Sequence, residues 1–387
     1  MFILNKSQAT DQLSASVELR KASLDLLRFP LAVVVVIVHT FAADAVGLDY
    51  TYWCENYKLF RGVNLIIDAF LQGISVPIYF FISGYVFFFN TNFNKQVYIQ
   101  KLKNRTRTLL IPYLIWNLIA VLLVVIKQFP VFSEYLTYKG SDLNFTLSNL
   151  LSCFWKYNGQ LSPPPGDVVV PISPFPINAA LWFIRDLMIV VVATPLLNAL
   201  IKKFRLKYMF GIAVLYALSY LYMPSYRMLL TGFFFFSCGA YMSINNVDMI
   251  STFRPYFKLS MLIYAILSFA LLFINGEFPV LFNVLKFINK IVALIFLFNL
   301  SAILVEKKNC KVNSFFSSAS FFIYVAHCLL VHRITKLLIA IVNPIGDLRV
   351  TFTYVLSVIV TISMLLLSFY ILQKYGRRVL YILIGRR

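Results

Sequence analysis

Charge is scarce in this chain. Only 13% of its 387 residues are Asp, Glu, Lys or Arg, about half the share of an average soluble domain. Histidine is scarcer still: His39, His327 and His332 are all there is. They form no His-x-x-x-His or His-Glu pattern, so spacing gives no sign of a catalytic metal and none is expected. The five cysteines, Cys54, Cys153, Cys238, Cys310 and Cys328, are scattered without a Cys-x-x-Cys pair, which removes the common zinc and redox motifs. Cys54 and Cys153 fall in segments expected on the same outer side, which leaves one disulfide open. There is no clear internal repeat, and secondary transporters commonly carry one. Residues 1–21 are mixed and polar and contain no apolar run ending at a small-residue cleavage site. A removable signal peptide is therefore not expected, and the first apolar run should remain as a helix.

What is present is apolar sequence. Residues of the AVILMFWYC set make up 60% of the chain, in long runs from end to end. This is the pattern of an all-α polytopic membrane protein in one domain, 1–387, because a backbone in lipid must satisfy its own hydrogen bonds. Ten spans are expected, near 22–42, 64–90, 108–128, 179–200, 208–223, 228–245, 257–275, 280–304, 315–341 and 351–373. The short fifth is the weakest. The net charge of +20 finds its explanation at the membrane surface rather than in nucleic acid, for which no motif is present. Lysine and arginine cluster at alternate ends of the spans, in Lys95–Arg107, Lys202–Lys207 and Lys374–Arg387 among others. That bias places both termini in the cytoplasm and a long proline-rich loop, about 129–178, outside. The loop is either a lid over a site or a passive connector.

The first span holds the most informative residues. Asp25, Arg28 and His39 lie within it. Arg28 and His39 are eleven residues apart, close to three helical turns, so they share a face about 16 Å apart along the axis. Asp25 sits one turn before Arg28 on nearly the same face. Ionisable groups in a membrane helix are costly and commonly mark a site. Histidine is the usual general base, and Asp25–Arg28 is either part of the site or an orienting ion pair.

Four further patterns follow. Tyr79 to Tyr85 contains Ser83-Gly84 in mid-span, which suits close helix packing. Arg105 and Arg107 stand in a basic run at the start of the third span. They serve either as positive-inside anchors or as a grip on phosphates. Trp182 and Arg185 are neighbours on the fourth span, readable as an interfacial anchor and its cation or as a sugar platform beside an oxyanion donor. Tyr324 to His327 place a histidine in mid-membrane, where it is either functional or hydrogen-bonded between helices.

Taken in order, these motifs resemble the acyltransferase-3 family, integral-membrane O-acyltransferases of surface polysaccharides. The resemblance rests on Asp25-Leu26-Leu27-Arg28 with His39, on Phe80 to Gly84, on Arg105 to Tyr113, on Trp182 to Leu187 and on Tyr324 to His327. It departs at Arg105-x-Arg107, where relatives often have Arg-x-x-Arg. The resemblance implies a ten-helix protein of a bacterial inner membrane. It also implies an acyl-CoA co-substrate, with acetyl the expected acyl group, and no permanently bound cofactor. The acceptor would be a surface glycan or its lipid-linked precursor. Arg105 and Arg107 would bind the donor. His39 would act as base with Arg28 and Asp25, and Trp182, Arg185, His327, Ser83 and Tyr79 would contact substrate or oxyanion. An acyl-histidine intermediate competes with direct transfer. The rival reading from another class is a glycan-precursor transporter or flippase.

Overall fold

The computed structural model describes residues 6–41, 54–127, 146–156, 175–274, 278–307 and 310–385, with side chains from Val17 onward. The described residues contain helices and no strand. In chain order the α-helices are α1 Lys6–Thr40, α2 Lys58–Phe70, α3 Ser75–Phe88, α4 Lys95–Arg105, α5 Ile111–Lys127 and α6 Leu147–Ser152. Then come α7 Trp182–Val192, α8 Thr194–Phe204, α9 Leu206–Leu221, α10 Arg227–Ile244 and α11 Met249–Phe253. The last five are α12 Phe257–Phe273, α13 Pro279–Lys307, α14 Ser314–Val342, α15 Asp347–Tyr375 and α16 Arg377–Ile384.

Over their described residues, the ten expected segments are mostly helical. Eight are long and apolar enough to cross a bilayer, or nine if the bent pair α7–α8 is one span. Expected as a single straight span, that pair bends by 61° at Ala193. Pro195 lies in the first turn of α8, where a missing amide is tolerated, but it cannot continue α7. The fifth segment, α9, has only 16 residues, about 24 Å of helix and short of the roughly 30 Å apolar layer. The second span is broken between α2 and α3 at Gly73, whose φ of +80° is open chiefly to glycine. Most of the expected outer loop lies outside the described residues. No disulfide joins Cys54 to Cys153, and burial pushes the Cys153 thiol up from its ordinary range.

Only 22% of the apolar window is buried inside the protein for Met249–Phe273 and for Asp347–Tyr375. Side chains such as Phe210, Ile266 and Leu367 point outward, and in a bilayer they meet lipid rather than water. The interior is built around α1, which packs on α13, α14 and α15. The tightest pair is α3 with α10. There the backbones touch through Gly84 and Gly239: a Cβ at either would lie 2.0 Å from Phe236 O or 2.1 Å from Phe81 O. The Ser83-Gly84 reading as a close-packing element therefore holds.

Candidate active site

Two cavities sit on the same face of α1. The larger, about 360 Å³, is lined by Arg28, Tyr79, Ser83, Arg105, Ser317 and Tyr324, among others. The smaller, about 140 Å³, is lined by His39, Trp182, Ser75 and Tyr324. Tyr324 lines both and stands between the cationic end and the histidine end. The three-turn spacing of Arg28 and His39 is what sets the two ends apart.

Around Arg28 the polar groups are held tightly. Its guanidinium Nη1 is 2.9 Å from Asp25 Oδ1, so the expected i, i+3 ion pair is formed. Pro30 interrupts the α1 hydrogen-bond ladder, and α3 docks on the carbonyls beside it. Tyr79 Oη donates to Arg28 O at 2.8 Å and Ser75 Oγ to Leu31 O at 3.1 Å. These bonds fix α1 against α3 and leave the Tyr79 ring on the cavity wall, 6.0 Å from that of Phe183.

The two arginines of the basic run part company. Arg105 lines the large cavity, whereas Arg107 is exposed and lines neither cavity. Between α4 and α5 the chain makes a π turn, Thr106–Leu110. Such a turn accommodates an extra residue and re-aims the side chains beside it. The C-terminal helix α16 closes this end: Trp116 Nε1 donates to Leu383 O at 2.9 Å, Gly385 fits against the backbone of Thr108, and Ile384 reaches the cavity. Sequence reasoning used this segment only as one of the basic clusters marking the cytoplasmic side. Its alternation of Arg377-Arg378 with apolar residues up to Ile384 was the available signal. Ser317, Ser318 and Ser320 were also missed as cavity residues.

At the other end, Trp182 shares the small cavity with His39. Arg185 does not. Its Nε is 2.9 Å from Asp186 Oδ1, its Nη1 donates to Trp155 O at 2.7 Å, and its guanidinium lies 5.5 Å from the Trp155 ring centroid. The arginine expected beside the histidine is thus engaged with the 153–156 segment. That segment is in turn anchored by Tyr113, which donates to Phe154 O. Asn178 extends the anchoring: its amide N donates to Asn117 Oδ1 at 3.2 Å and its Nδ2 to Val325 O at 3.0 Å. The chain is thereby held where α7 begins.

His327 is fully buried and its ring centroid is 5.0 Å from that of His39. Its Nδ1 is 2.7 Å from Tyr324 O. A carbonyl only accepts, so Nδ1 carries the proton and Nε2 the lone pair. Cys328 Sγ lies 3.3 Å from that Nε2. His39, His327 and Cys328 present ligand-type atoms all within 4.8 Å of one another. The histidines are 288 positions apart in sequence, so no spacing motif foretold this cluster.

The described residues are those of an all-helical, multi-pass membrane protein with two cavities against its first helix, and comparison with known families supplies the class. Residues 21–373 match the family described as "Acyltransferase domain". The chain belongs to that family and is a multi-pass membrane acyltransferase. It is 24% identical over 372 residues to the succinoglycan biosynthesis protein ExoH of Rhizobium meliloti (strain 1021), covering 95% of this chain and 92% of that protein. No solved structure matches the chain.

Proposed function

We propose that the protein transfers an acyl group from acyl-CoA to a hydroxyl of a cell-surface polysaccharide or its lipid-linked precursor, with His39 as general base. The observation that carries this reading is the paired cavity. Arg28 and Arg105 line one end, His39 and Trp182 line the other, and Tyr324 is common to both. Coenzyme A brings phosphates that arginine binds by charge-assisted hydrogen bonds, and a long flexible arm suited to the roughly 16 Å between Arg28 and His39. Arg28, Arg105 and the start of α14 all lie at the end of the bundle where basic residues cluster, the cytoplasmic end by charge bias. Acyl-CoA is a cytoplasmic metabolite, so donor side and charge bias agree. The relative named for succinoglycan biosynthesis supports a polysaccharide acceptor, and the setting is a bacterial inner membrane.

In the reaction His39 takes the proton of the acceptor hydroxyl as its oxygen attacks the thioester carbonyl. The C–S bond breaks, the coenzyme A thiolate takes the proton from His39, and an ester is left on the glycan. Trp182 offers a flat face for a sugar ring. With Arg185 occupied elsewhere and the Ser75 hydroxyl proton committed to Leu31 O, the polar candidate for an oxyanion donor in the small cavity is the Trp182 indole N–H.

The test is surface glycan from a host lacking this protein, complemented with wild type or His39→Ala, with base-labile acyl esters quantified by NMR. Esters restored only by wild type support transfer that depends on His39 and identify the acyl group. Esters restored by both remove His39 from the chemistry. Recovery of surface glycan without any ester points to transport instead.

A further inference from the structure

We propose that His39, His327 and Cys328 form a binding site for a borderline-soft divalent cation of the Zn²⁺ class. Two imidazoles and one thiolate are a ligand set that favours zinc over magnesium or calcium. The spacing is close to that of a tetrahedral site. With Zn–N and Zn–S bonds of about 2.0 and 2.3 Å, adjacent N and S ligands stand about 3.6 Å apart. His327 Nε2 and Cys328 Sγ are 3.3 Å apart. His39 completes the group within 4.8 Å, so it needs to close by about an ångström.

The surroundings also fit. Metal-bound histidines characteristically donate their other N–H to a carbonyl or carboxylate, which fixes the tautomer. His327 Nδ1 does this to Tyr324 O at 2.7 Å, leaving the Nε2 lone pair, which faces Cys328 Sγ, to ligate once the thiol proton is lost. His327 is fully buried, so it is pre-positioned, while His39 borders the 140 Å³ cavity. That cavity supplies both an approach path and room for a fourth ligand such as water. The thiol must lose its proton on binding, and the displaced proton leaves as the Zn–S bond forms.

The inference has a functional consequence that rests on the reading of His39 as base. A nitrogen bonded to zinc has no lone pair for the acceptor proton, so bound metal blocks transfer reversibly. The site is thus an inhibitory one at the reaction centre.

Binding is tested without reference to acyl transfer. Purified full-length protein in nanodiscs is titrated with Co²⁺, which reports a thiolate ligand by its charge-transfer absorption. The expected result is one Co²⁺ per chain with a thiolate band that Zn²⁺ abolishes. Cys328→Ser should lose the band, Cys310→Ser should keep it, and His327→Gln should weaken affinity at least about tenfold. X-ray absorption at the zinc edge of the wild type should show one sulfur and two imidazole nitrogens, a check that needs no variant to fold. Absence of the band, or its survival in Cys328→Ser, overturns the site. Added Zn²⁺ should lower acyl transfer at least about tenfold, with recovery on chelation. Transfer that ignores a bound metal overturns the inhibitory role. A protein that shows the band but never transfers acyl groups counts against the proposed function and leaves the site standing.

Discussion

The contact between α3 and α10 yields the sharpest prediction, since its margin is known in ångströms. Replacing Gly84 by alanine places a methyl carbon 2.0 Å from the Phe236 carbonyl oxygen. Ordinary contact begins at 3.4 Å, so the helices must part by about 1.4 Å, and the obstacle is backbone rather than a side chain that can swing away. Inserting one methylene into a packed interior costs about 1–3 kcal/mol. Gly84→Ala should therefore melt a few degrees lower in detergent. It should also lose activity beyond that, because α3 carries Tyr79 and Ser83 into the cavity lined by Arg28 and Arg105, and a misplacement near 1 Å in an active site costs about a hundredfold. Gly211→Ala is the internal control. No atom lies within 4 Å of a Cβ there, and alanine in a helix interior is favoured over glycine by about 1 kcal/mol. It should melt at or above the wild type. Thermal unfolding followed by tryptophan fluorescence, with acyl transfer measured on the same preparations, decides. Equal melting and equal activity for Gly84→Ala and Gly211→Ala would refute the packing argument.

Other perturbations have definite directions. Arg105→Ala should raise KM for acyl-CoA about 10–100-fold, the loss of charge-assisted bonds to phosphate, while Arg107→Ala should change it by less than about threefold; steady-state kinetics with varied donor separates them. Asp347 accepts the amides of Leu59 at 2.7 Å and Phe60 at 3.0 Å, capping α2 from another helix. Asp347→Ala should therefore destabilise by about 1 kcal/mol, and Asp347→Asn by less, both read as shifts in melting temperature. Trp182→Ala should raise KM for the glycan acceptor and leave that for acyl-CoA unchanged, whereas Trp182→Phe should retain most acceptor affinity.

The sequence was most informative where one helix decides the matter. Periodicity along α1 suffices to put Asp25, Arg28 and His39 on a common face, and long apolar runs suffice to locate the helices. It was silent where two segments meet. Nothing around Cys328 hints at His39, because the contact depends on how α14 docks on α1. The choice between Arg105 and Arg107 turns on a π turn, and no residue type within Thr106–Leu110 announces one. Arg185 misled for a related reason: its three-residue spacing from Trp182 is real, but Asp186 and the carbonyl of Trp155 take the guanidinium first. The bend at Ala193 was readable from Pro195 in principle, although proline also occurs inside continuous helices, as Pro30 does in α1.

The hydrogen bonds explain why chemistry gathers where it does. On the lipid-facing helices hydroxyls mostly bond their own helix, as Thr353 does to Arg349 O and Ser357 to Thr353 O. Such bonds satisfy a polar group and position nothing else. Around the two cavities several bonds run between elements: Tyr79 to Arg28 O, Ser75 to Leu31 O, Tyr324 to Ala180 O and Asn178 to Val325 O. Each fixes one wall against another. Together they lock α1, α3, α14 and the start of α7 into one unit. Under the proposed function that rigidity matters at the junction, because transfer between two bound substrates depends on their alignment. The same rigidity holds His327 and Cys328 beside His39, so the proposed base and the proposed metal ligand are one side chain.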